Sequence, residues 1–202
     1  ASLMAVYKRD LGRSGLVAGQ VLLTPLDFMI RSQYLHARAT MQRLLELGVV
    51  PVVNENDAVA DDEIRFGDND RLAALVGHLV DADTMVLLTD TEGVLTADPR
   101  LDASASLIEE IVEIDHELEA IAGGAGSARG SGGMASKLAA AKIASWSGVR
   151  TVIANARRHD VLLAAVSQER LDRLMIPLRM IGLDPDIVDA APLALTNALF
   201  HQ

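Results

Sequence analysis

The sequence predicts an α/β fold in which helices cover the faces of a mostly parallel sheet. Short runs of apolar and β-branched residues alternate with longer segments of helical periodicity along most of the 202 residues. Some of these runs are almost entirely apolar, as in strands that are buried on both faces of a parallel sheet. Polar segments follow several runs, and in such sheets ligands bind beyond the carboxyl ends of the strands.

The pattern of apolar residues in the first quarter of the chain predicts two helices and two strands. The chain opens with apolar residues at helical spacing, and strands are expected at 17–24 and 49–53. A long helix is expected between them over 27–48, with Gly48 as its C-terminal cap. Pro51 is unusual inside a strand and indicates a strand end or an irregularity.

The same alternation continues beyond residue 54. The expected elements are a helix at 70–80, a strand at 84–88, a turn at 93–99, a glycine-rich loop at 123–133, a helix at 134–147, a strand at 151–154 and a helix at 159–166. Residues 108–114 fit a strand or a helix equally well. The pattern implies right-handed crossovers between parallel strands.

Composition narrows the class of protein. The net charge of −10 argues against a nucleic-acid surface, because phosphate contacts need a stripe of Lys and Arg. No apolar run is long enough to cross a bilayer. Cysteine is absent, which excludes disulfides, cysteine nucleophiles and thiolate metal sites, and the five histidines show no metal-ligand spacing. These properties fit a cytoplasmic protein that has no membrane or nucleic-acid partner and no metal site of its own.

Two polar segments follow the second predicted strand. Residues 54–57 (Asn-Glu-Asn-Asp) offer amides and a carboxylate that suit both ends of a small zwitterion, although such residues also form ordinary polar turns. Residues 67–70 (Gly-Asp-Asn-Asp) precede a helix, where Asp and Asn are favoured caps. Two acids and an amide exceed what one cap needs, so an aspartate here is also a candidate to position lysines or a magnesium–phosphate unit.

Two further segments are candidates for nucleotide binding. Thr89 and Asp90 end a predicted strand, where a hydroxyl and a carboxylate suit a base or ribose, although a simple turn is the alternative. Residues 130–137 (Gly-Ser-Gly-Gly-Met-Ala-Ser-Lys) run into a helix whose free N–H groups and dipole suit a phosphate. The positive charge of Lys137 is unfavourable near the start of a helix, and a bound anion would compensate for it. The segment is not a Walker loop, because the lysine stands four residues after the last glycine, and a flexible loop before an ordinary helix is the other reading.

In this order and spacing, the four segments resemble the amino acid kinase family. The stretches that carry the resemblance are VVNENDAVA (52–60), EIRFGDNDRLAALV (63–76), LLTDTEGVLTADPR (87–100) and GSGGMASKLAAA (130–141). Within that family they are most similar to the members that phosphorylate glutamate in the first step of proline synthesis.

The resemblance implies a three-layer αβα sandwich around a mostly parallel open sheet. It also implies transfer of the γ-phosphoryl group of ATP, bound with Mg²⁺, to the side-chain carboxylate of glutamate by a homo-oligomer. By position it assigns glutamate binding to Asn54, Asp57, Asp68 and Asn69, and ATP binding to Thr89, Asp90, Ser131, Gly132, Gly133, Met134, Ala135, Ser136 and Lys137. It makes Lys137 the residue that stabilises the transferred phosphoryl group and Asp70 the residue that orients catalytic lysines.

Some features depart from the family pattern. The family domain begins earlier, with a strand bearing a lysine-glycine phosphate motif, so 1–202 is expected to be a partial domain with little activity alone. Residues 1–167 match and 168–202 are atypical, and the C-terminal PUA module of many members is not recognised. Leu95 stands where members often have Tyr beside the nucleotide. The alternatives are a family member acting on aspartate, N-acetylglutamate or UMP, or a non-catalytic fragment that binds a nucleotide or an amino acid.

Overall fold

The computed structural model describes residues 2–56, 68–98, 102–122 and 133–165. The helices are α1 (Ser2–Gly12), α2 (Leu26–Met29), α3 (Arg31–Glu46), α4 (Asn69–Leu79), α5 (His116–Ala122) and α6 (Met134–Trp146), and the strands are β1 (Val17–Leu23), β2 (Val49–Glu55), β3 (Thr84–Thr89) and β4 (Arg150–Asn155). The chain divides after Arg157 into two units. All of the elements named here belong to the first unit.

The strands confirm the predicted α/β class and the parallel pairing. β1 pairs with β2 from Val17↔Val49 onward, and β3 pairs with β4 from Thr84↔Arg150 to Thr89↔Asn155. Within the described residues these are two parallel pairs rather than one continuous sheet, because β2 and β3 are not hydrogen-bonded to each other. Instead, α4 connects them in the chain and packs against both.

The helix expected over 27–48 is interrupted. Ile30 has φ −97° and ψ 116°, an extended conformation that separates the single turn of α2 from α3. The Asp27 carboxylate accepts hydrogen bonds from both N and Oγ1 of Thr24, at 2.6 Å and 2.8 Å, which fixes the turn where α2 begins. The predicted glycine stop is confirmed, since Gly48, the residue after the C-cap Leu47, has φ +70° and donates its N–H to Leu45 O.

Pro51 lies inside β2, opposite Gly19 of β1. In the part of the sheet that the structure describes, β2 pairs along one side only. A proline is compatible with such a strand because its missing N–H is not needed on the other side.

Alanines allow α4 and α6 to pack closely. Ala74 of α4 and Ala140 and Ala144 of α6 are fully buried, in a cluster that also contains Met85 and Leu87 of β3. Small side chains let two helix backbones approach each other, and tight packing of this kind holds their relative position. The packing brings the first turns of α4 and α6 together.

Residues 108–114 form neither a strand nor a helix. They follow a single antiparallel bridge between Leu95 and Leu107 and a hydrogen bond from Ile108 N to Val94 O. Ile108, Ile111 and Ile114 pack without regular structure against the cluster that contains Val94, whereas Val112 is exposed, which explains why the periodicity of the stretch did not decide between the two elements. Helix α5 begins only after Asp115, whose carboxylate caps it by accepting from Leu118 N at 2.8 Å.

In the second unit, residues 161–165 are helical, within the range 159–166 predicted for a helix. Among the described residues, the helices are too short or too polar to span a bilayer.

Candidate active site

Lys137, in the first turns of α6, is 8% exposed and faces Asp70 in the first turn of α4. Its Nζ donates to both carboxylate oxygens of Asp70, at 2.9 Å and 3.1 Å. A lysine is rarely buried to this degree unless it is paired, and near a helix N-terminus its charge opposes the helix dipole. Asp70 therefore compensates a charge that α6 alone would disfavour.

Ser136 gives α6 a second contact with the same carboxylate. Its Oγ lies 3.0 Å from Asp70 Oδ2 and 2.8 Å from Gly133 O. The hydroxyl has one proton, so it donates to one of these oxygens at a time. We refer to Asp70, Ser136 and Lys137 as the α4–α6 cluster, which ties the start of α6 to the start of α4.

Gly133 is the N-cap of α6 and has no side chain to occupy the N–H groups of the first turn. Ser136 N and Lys137 N donate to Gly133 O, at 3.1 Å and 3.3 Å. The earlier N–H groups, those of Met134 and Ala135, precede any intrahelical bond and are suited to an anionic ligand. A buried ammonium and a helix N-terminus thus lie within the same turn.

The start of α4 is capped by Asp68, whose Oδ1 accepts from Arg71 N at 2.8 Å. Asn69, the next residue, is exposed, and Asp70 points to Lys137. The three polar residues of this turn thus have different surroundings, and the cap accounts for only one of them.

A second group of polar side chains lies where β3 and β4 end. Thr89 and Asn155 are the last register pair of the two strands, and Ala156 N donates to Thr89 O at 2.8 Å. Asn155 is 9% exposed and its Nδ2 donates to Glu92 Oε1 at 2.7 Å. We refer to Thr89, Asp90, Glu92 and Asn155 as the β3–β4 edge.

The topology places these two groups at the same end of the β3–β4 pair. The chain leaves β3 at its carboxyl end, and α6 then leads into the amino end of β4, which is parallel to β3. The first turn of α6 therefore lies towards the carboxyl ends of the strands, where ligands bind in parallel α/β folds.

Farther along α6, Lys142 pairs with Glu119 of α5 at 2.6 Å. The hydrogen bond and charge of this lysine lower the pKa of the Glu119 carboxyl, with a smaller contribution from His116. This ion pair links α5 to the middle of α6.

Known proteins are similar in sequence to most of this chain. The model of the amino acid kinase family matches residues 2–155. The chain belongs to the amino acid kinase family. It is 50% identical over 174 residues to the glutamate 5-kinase of Burkholderia thailandensis, a match that covers 86% of this chain and 47% of that protein. The glutamate 5-kinases of Burkholderia mallei and Burkholderia pseudomallei match with the same identity and coverage. The chain thus spans about half the length of the curated relatives it matches.

Three of the predicted site residues are in direct contact, namely Asp70, Ser136 and Lys137. Gly133, Met134 and Ala135 form the adjoining start of α6, and Thr89 and Asp90 lie at the end of β3. Asn54 is exposed near the end of β2, with Nδ2 3.4 Å from Glu55 O. Asp57, Ser131 and Gly132 lie outside the described residues.

Sequence reasoning missed Asn155 and Glu92. Asn155 follows an apolar run at the end of a strand, which is the same signal that drew attention to Thr89. Applied to β4, that signal would have found it. Glu92 carries no comparable local signal, because its contact with Asn155 spans 63 positions of the chain.

Proposed function

We propose that this chain is the nucleotide-binding portion of a glutamate 5-kinase, which transfers the γ-phosphoryl group of ATP to the side-chain carboxylate of glutamate in the first step of proline biosynthesis. The observation that carries the proposal is the α4–α6 cluster, in which a buried lysine stands at a helix N-terminus beside a glycine cap. The substrate is proposed from the names of the relatives that are 50% identical to the chain.

The α4–α6 cluster suits the chemistry of phosphoryl transfer to a carboxylate. A carboxylate oxygen attacks the γ-phosphorus, a new P–O bond forms, and the bond to the departing ADP oxygen breaks. The nucleophile is already ionised, so a general base is not required. Two anions must be aligned and their repulsion reduced, which makes positioning and charge neutralisation the main sources of catalysis.

Lys137 supplies the positive charge in this proposal. Its ammonium is held by Asp70 in the resting protein, with Nζ 2.9 Å from Oδ2. Asp70 is the positioning residue, since it restricts the lysine side chain to one place at the start of α6. Removal of one such preorganised donor typically costs about 10² to 10³ in rate.

The donors at the start of α6 also fit the phosphates of ATP. The N–H groups of Met134 and Ala135 have no acceptor within the helix, so they are able to donate to phosphate oxygens. Gly133 has no side chain that would block the approach of the ligand. No group of three or more metal-binding side chains occurs in the described parts of the chain. We assign Mg²⁺ to the phosphates of the nucleotide, whose negative charge it neutralises.

We assign recognition of the amino acid to Asn54, Asp57, Asp68 and Asn69. The cap at Arg71 N uses only Oδ1 of Asp68, so Oδ2 is able to accept a hydrogen bond from the ammonium group of an amino acid. The exposed amide of Asn69 is suited to a carboxylate in the same way.

We also propose that the protein forms a homo-oligomer through α3. Leu35 and Leu45 on this helix are each 49% exposed. Light scattering coupled to gel filtration tests this directly, and the paired exchange of both leucines for Gln is expected to lower the measured mass. A monomer with the native leucines would refute it.

The decisive experiment uses a chimera. The 174-residue matched segment of the B. thailandensis glutamate 5-kinase is replaced by that of this chain, and acyl phosphate is trapped with hydroxylamine in the presence of Mg-ATP. The proposal predicts hydroxamate from glutamate and none from aspartate, and loss of product on Lys137→Met.

Other outcomes have definite meanings. Product from aspartate would assign the chain to a different substrate within the family, and binding assays with N-acetylglutamate and UMP extend the same comparison. A folded chimera that binds Mg-ATP without forming product would support the non-catalytic alternative. Run beside the chimera, the 202-residue chain alone is expected to give little or no hydroxamate.

A further inference from the structure

Asn155 is a buried amide whose two polar atoms are both used. Its Nδ2 donates to Glu92 Oε1 at 2.7 Å, and its Oδ1 accepts from Arg157 N at 2.8 Å. One atom faces a carboxylate, which only accepts, and the other faces an N–H, which only donates. The amide therefore has a single orientation that satisfies both partners, and a buried polar group that is satisfied in this way is costly to disturb.

Residues 89–93 lie close to β4 at two further points. Ala156 N donates to Thr89 O at 2.8 Å, which fixes the start of the segment. Gly93, at its end, has φ +151°, and a Cβ added there would lie 3.5 Å from Ile153 O and 2.9 Å from Leu107 Cδ1. The segment thus leaves β3 and returns to β4 within four residues.

The bond from Asn155 to Glu92 falls between these two points. The other side-chain contacts of the segment are long, since Thr89 Oγ1 lies 3.4 Å from both Asp90 Oδ1 and Thr91 Oγ1. The Asn155–Glu92 bond is shorter and involves an ionised acceptor, which makes it the stronger constraint. It determines where the middle of the segment lies relative to the end of β4.

We infer that Asn155 is a positioning residue for nucleotide binding, which acts through Glu92 to hold Thr89 and Asp90 at the carboxyl end of β3. The inference rests on the proposed function, in which Thr89 and Asp90 contact ATP. Asn155 itself touches neither nucleotide nor amino acid in this account.

Two substitutions exchange the donor and the acceptor of the Asn155–Glu92 hydrogen bond. Asn155→Asp keeps the shape of the side chain and the acceptor for Arg157 N, but it places a second carboxylate against Glu92. Glu92→Gln alone keeps an acceptor for Asn155. The double variant Asn155→Asp/Glu92→Gln restores a donor–acceptor pair with reversed polarity, so it reports on the bond itself.

The measurement is the Kd of the chain for Mg-ATP by isothermal titration calorimetry, with urea unfolding of every variant in parallel. Asn155→Asp is expected to weaken binding about tenfold, as for the loss of one hydrogen bond to a charged group. Glu92→Gln is expected to change it less than about threefold, and the double variant should recover most of the loss. The Kd for glutamate should stay unchanged, and Glu117→Gln on the exposed surface of α5 is the matched charge control.

The outcomes separate the two proposals. If Thr89→Ala and Lys137→Met leave the Kd for Mg-ATP unchanged, or if the parental chain binds no nucleotide, the proposed function fails and the inference fails with it. If those two variants weaken binding but Asn155→Asp does not, the inference alone is wrong. If the loss in Asn155→Asp is not recovered in the double variant, it reflects general destabilisation, and the inference is again overturned.

A readout without nucleotide gives an independent check. Amide hydrogen exchange at residues 90–93, followed by NMR, should accelerate in Asn155→Asp and return towards the parental rate in the double variant. Exchange that is the same in all three proteins would contradict a positioning role.

Discussion

Replacing Asp70 with Ala removes the only charged partner that the described residues provide for the buried ammonium of Lys137. The side chains of the two residues are 16% and 10% exposed, so water compensates the lost contact poorly. Breaking a buried ion pair from one side typically costs about 3–5 kcal/mol. Since both side chains keep some exposure, we expect a loss near the lower limit, about 3 kcal/mol.

That loss is large compared with the usual stability of a domain, about 5–15 kcal/mol. With a urea m-value of about 2 kcal/mol/M, the unfolding midpoint should fall by about 1.5 M. The assay is equilibrium urea unfolding at neutral pH, followed by circular dichroism. The m-value must stay constant for the shift in midpoint to report stability.

The double variant Asp70→Leu/Lys137→Met tests the origin of the effect. Replacing a buried ion pair by apolar residues of similar size is often neutral for stability. We therefore expect the double variant to be more stable than Asp70→Ala alone, which would show that the absence of an ion pair is not itself the cost.

An exposed ion pair on α3 supplies the matched control. Arg43 and Glu46 lie 2.9 Å apart with side chains that are 68% and 63% exposed. Glu46→Ala should cost no more than about 1 kcal/mol, as is usual for surface pairs. If Asp70→Ala costs no more than Glu46→Ala, the reasoning about a compensated buried charge is refuted.

Three further predictions concern the elements around the two groups. Gly93→Ala should destabilise the fold by about 1–3 kcal/mol in thermal unfolding, because the new Cβ would lie 2.9 Å from Leu107 at a φ of +151°, and an unchanged melting temperature would contradict this. Asp68→Ala should cost about 1 kcal/mol through loss of the α4 cap, whereas Asp68→Asn should retain most of it, and equal effects of the two would argue against capping. Glu119→Gln should destabilise the protein at pH 7 and have progressively less effect as the pH is lowered in urea unfolding: the pKa of Glu119 is lowered by Lys142, so its stabilisation is present above the usual value near 4.5 and is lost as the pH falls through the lowered value. A pH-independent effect would count against that pairing.

Runs of apolar residues and single glycines correctly predicted the strands and the helix end that depend on neighbouring residues in the chain. The apolar runs at 84–88 and 151–154 became β3 and β4, and Gly48 became a cap because only a glycine adopts its positive φ at low cost. The sequence did not predict the interruption at Ile30. Nothing in the spacing of the apolar residues distinguishes one helix of 22 residues from two that are separated by an extended residue.

The candidate site was predictable in composition but not in its contacts. Lys137 and Asp70 were each selected from a local motif, and the resemblance to a family gave them related roles. Their bond spans 67 positions and depends on the buried alanines that bring α4 and α6 together. Ser136 was assigned to ATP, yet its hydroxyl lies at Asp70, and its direct contact with nucleotide stays a prediction.

The central claim is that the start of α6 binds the phosphates of ATP through Lys137. The most direct test compares the Kd of the chain for Mg-ATP in Lys137→Met and Lys142→Met by isothermal titration calorimetry. Lys142 lies on the same helix but pairs with Glu119, so its loss controls for charge and for helix stability. We expect Lys137→Met to weaken binding by about 10- to 100-fold, as for the loss of one hydrogen bond to a charged group, and Lys142→Met by less than about threefold. Equal affinities of the two variants would contradict it.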